Sequence, residues 1–200
     1  MFARSTTFHG RPENIDAGIR YVQNEAGPML DRIDGCRGLS LLVDRDTGQC
    51  IATSSWEGES AMLASGDQLH EIRERGRTIL GGSMQIDTWD IAVMHRSQHG
   101  ECCRVSWLEG DLDAMIDTFR MGILPQLEQT PGFCSASLLV NRTSGIGCAT
   151  TCWETQAAMV ASRPAADEMR NRAASDSGGS IVDVHEYELA YAHLHVPEMA

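Results

Sequence analysis

Apolar and polar positions alternate along Phe2–Phe8 and again along Cys102–Leu108, the period of a half-buried strand. After the first of these, Ile15, Ile19, Val22, Ala26, Met29 and Ile33 recur at helical spacing and stop at Asp34-Gly35, a helix C-terminal signal. Leu112, Ile116, Phe119, Ile123 and Leu127 repeat that pattern and stop before Pro131-Gly132. Pro28 and Pro125 fall inside the two patterns. A proline has no N–H, and its ring presses on the carbonyl four residues back, so each helix is expected to kink or break near its last turn. Leu39–Val43 and Gln49–Trp56 flank Asp44-Arg45-Asp46-Thr47-Gly48 as a hairpin, and Ser137–Val140 and Ile146–Trp153 flank Asn141–Gly145 in the same way. A second helical stretch is predicted over Glu59–Leu80 and over Ala157–Ala174, each leading through glycines into a last strand.

The pattern occurs twice because the chain does. Gly35–Ser65 aligns without a gap on Gly132–Ser162, and about half of the positions are identical. The matches include Leu41/Leu138, Val43/Val140, Gly48/Gly145, Trp56/Trp153, Glu57/Glu154, Met62/Met159 and Ser65/Ser162. Upstream, Pro28 meets Pro125, and Arg4 meets Arg104 once Arg11-Pro12-Glu13 is treated as an insertion. Downstream, Ile86–Ala92 meets Val184–Ala190. The chain reads as a tandem duplication with halves at 1–97 and 98–200.

Each half predicts the order βαββαβ, which makes a four-stranded antiparallel sheet with both helices on one face. The other face then lacks a cover. Leu39, Leu41 and Val43 on one side of a strand, and Leu42 and Ala52 on the other, are the composition of a sheet buried on both sides. The expected fold is therefore α+β, with two antiparallel sheets closing face to face into an eight-stranded barrel within one chain.

Composition removes several classes of function. The 16 Arg+Lys against 28 Asp+Glu leave a charge of −12, which repels phosphate backbones and anionic lipid surfaces, so neither nucleic acid nor membrane is an expected partner. Every basic residue among the 16 is an arginine. Schiff-base chemistry, pyridoxal phosphate attachment and a Walker-A lysine are thereby excluded. Met1–Thr7 has no apolar secretion core, and the seven cysteines are odd in number without a Cys-x-x-Cys, so reduced thiols in a cytoplasmic protein are expected. Gly-x-Ser-x-Gly and glycine-rich dinucleotide motifs are absent from the sequence.

The order of strand, kinked helix, Pro131-Gly132-Phe133, paired strands, and then Trp-Glu followed by an Ala/Met helix resembles the antibiotic biosynthesis monooxygenase domain. Trp56-Glu57 with Ala61-Met62, and Trp153-Glu154 with Ala158-Met159, carry most of the likeness, once per half. The resemblance implies a tandem pair of ferredoxin-like repeats in the dimeric α+β barrel superfamily, and a cofactor-independent monooxygenase acting on a small aromatic or polyketide-like substrate in the barrel cavity. Its alternative is a non-catalytic barrel that binds a hydrophobic ligand. No cofactor is expected. Haem-degrading relatives use an Asn, a Trp and a His that are missing here: Thr6 or Thr7, Ala64 and Glu74 stand near those places in the first half, Ala161 and Arg172 in the second. Fused repeats allow a monomer with internal pseudo-symmetry or a further homodimer.

By strict alternation, His185, Tyr187, Leu189, Tyr191, His193 and His195 share one strand face, matched by Asp87, Trp89, Ile91, Val93 and His95 in the first half. Facing a cavity, they would form an aromatic pocket with a few polar groups. Facing the helices, they are core. His185 and Tyr191 are the candidate catalytic groups, as polar partners of a substrate anion. Trp89, Tyr187, Trp56 and Trp153 are the candidate substrate walls, the last two also being plausible packing at strand–helix junctions. The divergence between halves leaves room for at most one specialised site per chain, expected to involve the C-terminal half. Neither His193 with His195 nor His95 with His99 has an evident third ligand, so no metal site is expected.

Overall fold

Gln49–Trp56 alternates around apolar positions and forms β3, pairing with both β1 (Phe2–His9) and β2 (Cys36–Val43). The hairpin turn is closed by Asp44, whose Oδ1 accepts from the Asp46 and Thr47 amides at 2.9 and 3.2 Å. Gly48 completes the turn at φ 79°, where a side chain would be strained. Asn141 does the same for β6 (Phe133–Asn141) and β7 (Ile146–Trp153), accepting from Thr143 and Ser144 at 3.0 Å, with Gly145 at φ 73°. The computed structural model describes residues 1–199.

The helix after β1 runs as α1 (Ile15–Tyr21), a π turn over Val22–Ala26 and α2 (Gly27–Leu30), with Pro28 in the first turn of α2. The Gly27 amide reaches back to the Val22 carbonyl, and this wider turn moves the preceding carbonyls away from the Pro28 ring. The second half repeats the device as α5 (Leu112–Thr118), a π turn over Phe119–Ile123 and α6 (Leu124–Leu127) around Pro125. The second helical stretch is two helices rather than the expected one. α3 (Glu59–Ala64) ends at Ser65 and α4 (Gly66–Leu80) follows; α7 (Gln156–Ala161) and α8 (Arg163–Asp176) divide likewise at Ser162. Ser65 and Ser162 turn their hydroxyls back onto the Met62 and Met159 carbonyls at 2.7 Å, groups that a straight helix would bond to its own amides.

With β4 (Ser83–Arg96), β5 (Cys102–Glu109) and β8 (Ser180–Leu194), the strands are hydrogen-bonded in the closed cyclic order β1-β3-β2-β8-β5-β7-β6-β4. The fold is the expected α+β eight-stranded antiparallel barrel. The described residues divide into two compact units, Met1–Trp89 with Glu188–Val196, and Asp90–Tyr187 with 197–199.

Within the N-terminal unit, α1, α2 and α4 cover the sheet face that carries Phe8, Leu39, Leu41, Val43 and Cys50. In the C-terminal unit the equivalent layer holds Leu108, Met115, Phe119, Leu138, Val140 and Met169. Trp56 and Trp153 are fully buried at the strand ends, where removing either ring would forfeit about 3–5 kcal/mol of packing. Each indole N–H donates within its own strand, Trp56 to Ser54 at 3.0 Å and Trp153 to Thr151 at 3.2 Å.

Two expectations are corrected. Cys103 and Cys152 form a disulfide, because the β5–β7 register sets them directly opposite with Cα atoms 4.2 Å apart; Cys36, Cys50, Cys102, Cys134 and Cys148 are in no disulfide. The last strands do not alternate throughout. Leu41 pairs with Tyr191 while Leu42 pairs with Leu189, so Ala190 is a bulge and Tyr191 takes the face opposite to Leu189 and Tyr187. The Ile91/Val93 step in β4 does the same at Ala92.

Candidate functional site

In the N-terminal unit a cleft of about 650 Å³ lies between the sheet and the helices. Alternation on β1 directs Arg4, Thr6 and Phe8 into it, and β3 contributes Cys50, Ala52 and Ser54. The π turn supplies Val22 and Ala26, and α4 supplies Leu69, Ile72, Arg73, Gly76 and Leu80.

The walls are apolar and the polar groups are few. Arg4, only 7% exposed, donates from Nη1 to Ser65 Oγ at 3.1 Å and from Nη2 to the Met62 carbonyl at 2.7 Å, tying β1 to the α3–α4 junction. Burial, and then the neighbouring Arg73 charge, pull the Arg4 pKa below its ordinary value. Arg73 stands on the apolar stripe of α4 between Leu69, Ile72, Gly76 and Leu80. Its Nη2 makes one long bond to the Gly66 carbonyl at 3.4 Å, while Nε and Nη1 are buried without a hydrogen-bond partner. Burial lowers the Arg73 pKa, opposed by the adjacent Glu74 charge, yet Glu74 is itself held by Arg77 at 2.8 Å. Burial pushes the Cys50 thiol up to about 12, too high for a nucleophile at neutral pH. It also raises the Tyr21 phenol, which donates to the Ile72 carbonyl at 3.0 Å. Among the described residues, no carboxylate and no imidazole lines this cleft.

The C-terminal unit has the matching cleft, about 560 Å³, and differs in two ways. Gly18, Val22, Ala26 and Gly76 are replaced at the aligned positions by Met115, Phe119, Ile123 and Ala173, which fill space. The arginines are also neutralised. Arg104, 2% exposed, keeps the bonds of Arg4, to Ser162 Oγ at 3.0 Å and the Met159 carbonyl at 2.6 Å, and adds Glu186 at 2.8 Å. Arg170, aligned with Arg73, pairs with Asp167. The positions aligned with Glu186 and Asp167 in the N-terminal half are Thr88 and His70.

The residues singled out from sequence do not converge. Trp153 is on the wall of the C-terminal cleft, and Trp56 holds Ser54, which lines the N-terminal one. Trp89 is buried on the sheet face away from the helices, donating to Ser5 Oγ at 2.8 Å; Tyr187 is buried on its own strand. His185 is half-buried, 2.9 Å from Asp183 Oδ2 and with its ring against Trp107 and Tyr187. Tyr191, turned by the bulge, packs so closely on α2 that a Cβ at Gly27 would stand 2.6 Å from its hydroxyl. His193 and His195 face each other at 2.7 Å between Nε2 atoms, exposed at the strand end. Arg4 and Arg73 escaped the sequence reading, although an arginine on an alternating strand's apolar face and another on a helix's apolar stripe were visible signals.

No protein-family model matches the chain. Two uncharacterized proteins of Mycobacterium tuberculosis H37Rv, Rv2558 and Rv2557, are each 42% identical to it over its whole length, covering 87% and 92% of their own. Among solved structures, a candidate monooxygenase from Lactobacillus acidophilus superposes with a TM-score of 0.70 at 10% identity, covering 97% of this chain and 96% of that one. An anthrone oxidase-like protein gives 0.68 at 15% identity over 100% and 94%. A ferredoxin-fold protein from Listeria monocytogenes related to antibiotic biosynthesis monooxygenases gives 0.55 at 11% over 94% of each. These likenesses establish the monooxygenase-type fold; at such identities they carry no residue roles. No helix among the described residues is long and apolar enough to cross a membrane.

Proposed function

The chain belongs to the family of the uncharacterized mycobacterial proteins Rv2558 and Rv2557, and on that footing we propose that it is a cofactor-independent monooxygenase whose small aromatic or polyketide-like substrate sits in the helix–sheet cleft of the N-terminal unit. The observation that carries this reading is a cleft with apolar walls and polar groups few enough to set one orientation: Arg4, Thr6, Ser54 and Arg73. In this chemistry an enolate or phenolate gives an electron to O₂, and the radical pair recombines at carbon. A ring methylene and O₂ thereby become a carbonyl and water. The protein's part is to exclude water, hold the ring flat and favour the anion with fixed cationic donors.

Anthrone under O₂ is the direct test, with an oxygen electrode and the quinone absorbance read together. The expected result is one O₂ consumed for each quinone formed, at a rate proportional to enzyme. Oxygen uptake no faster than in buffer overturns the reading. One observation favours a second reading, a binding protein for hydrophobic ligands: the cleft lining has no carboxylate or imidazole to act as a base. In that case a bound aromatic is retained without oxygen uptake.

A further inference from the structure

We infer that the N-terminal cleft takes an organic anion, an aromatic or amphipathic acid whose carboxylate, sulfonate or ionised enol lies against Arg73 and Arg4, and that the C-terminal cleft does not. The inference deepens the proposed function and rests on its placing of the ligand in this cleft.

The two clefts are built on one plan and compare like with like. Arg4 and Arg104 leave equivalent strands and make equivalent bonds to a serine and a methionine carbonyl. Arg73 and Arg170 occupy aligned positions on α4 and α8. Two neighbouring guanidinium groups under an apolar roof repel each other and need anionic partners. The C-terminal unit supplies them from within, as Glu186 for Arg104 and Asp167 for Arg170. Arg163 also binds Glu186, at 2.6 Å, so that charge is spoken for on both sides.

The N-terminal unit has Thr88 and His70 at these two places, both exposed, and the result is visible in the orphaned Nε and Nη1 of Arg73. Leaving buried charged donors unmet is costly, and such groups in a native fold mark a place that something else completes. An anion would meet those donors while its apolar body lies along the cleft wall beside Val22, Ala26 and Gly76.

Two dyes of nearly equal shape test this: 1-anilinonaphthalene-8-sulfonate, an anion, and N-phenyl-1-naphthylamine, its neutral parent. Fluorescence titration and native mass spectrometry should show the anion bound once per chain, about tenfold or more tighter than the neutral dye. That preference should fall to about one in Arg73→Gln and in the double variant His70→Asp/Thr88→Glu, which gives the N-terminal cleft the carboxylates of its twin. The double variant changes only exposed positions, so it stands should Arg73→Gln fail to fold. Equal affinity for the two dyes, an undiminished preference in the variants, or two equivalent anion sites per chain would overturn the inference. Anion preference without oxygen uptake removes the monooxygenase reading alone; turnover of anthrone without anion preference removes this inference alone.

Discussion

Arg104 Nη2 donates to Glu186 Oε1 at 2.8 Å, setting a guanidinium that is 2% exposed against a carboxylate on the neighbouring strand β8. The hydrogen bond from Arg163, joined by that from Arg104, holds the Glu186 carboxyl below its ordinary value of 4.5, against the opposing effect of burial. A carboxyl depressed in the folded state contributes stability above its unfolded pKa and loses it as pH falls through the folded value. Thermal unfolding should therefore show stability declining below about pH 4.5. Glu186→Gln should remove about 3 kcal/mol at pH 7 and flatten the acid limb. An unchanged acid limb in this variant would show that other carboxyls carry the acid sensitivity.

The Cys103–Cys152 bridge closes a loop with a sequence separation of 49 between β5 and β7. Denatured, unreduced protein should titrate five thiols, Cys36, Cys50, Cys102, Cys134 and Cys148. Reduction should cost on the order of 4 kcal/mol by loop-closure entropy, read as a lower melting temperature. Seven titratable thiols without reductant would show that the strands hold the pair without a bond.

Tyr191 and Gly27 are matched in shape, the glycine leaving room for the phenol hydroxyl. Gly27→Ala should destabilise by about 1–3 kcal/mol through overpacking, and Tyr191→Phe in the same chain should recover much of that loss. Chemical denaturation of the two single variants and the double variant measures the coupling, and additive losses would place the strain elsewhere.

Turnover separates the two places where a site has been sought. With an active substrate, Arg73→Gln should lower kcat/KM by about tenfold or more, since the donors that favour the anion are lost. His185→Ala should leave it within about twofold, because that ring lies outside the cleft lining and is bonded to Asp183. The reverse outcome would return the chemistry to the last strand.

Several elements were legible because local chemistry alone specifies them. β3 and β7 match their expected bounds to the residue, bracketed by an Asx turn and a glycine on one side and a Trp-Glu junction on the other. The prolines marked the places where the first helix of each half changes its winding, although not that it would do so through a π turn. The break at Ser65 was hidden, since a serine that turns back on a carbonyl reads like any polar position in a helix.

The candidate site was less legible. Alternation assigned Tyr187 and Tyr191 to one face, and a single bulged residue at Ala190 separates them without any change in the hydrophobic pattern. Arg4 and Arg73 are sixty-odd positions apart on a strand and a helix, and neither has a motif around it.

By itself the sequence determined the duplication, the βαββαβ order of each half and the closure of apolar sheets into a barrel, because periodicity and turn chemistry act between near neighbours. It excluded lysine chemistry outright. Only the tertiary structure decided which cleft carries bare charge, because the fate of an arginine depends on what the fold brings beside it. Arg104 meets Glu186 across two strands, while Arg73 meets no partner for two of its nitrogens. That difference lies in contacts between distant residues, where electrostatics and burial act together and no local pattern reports them.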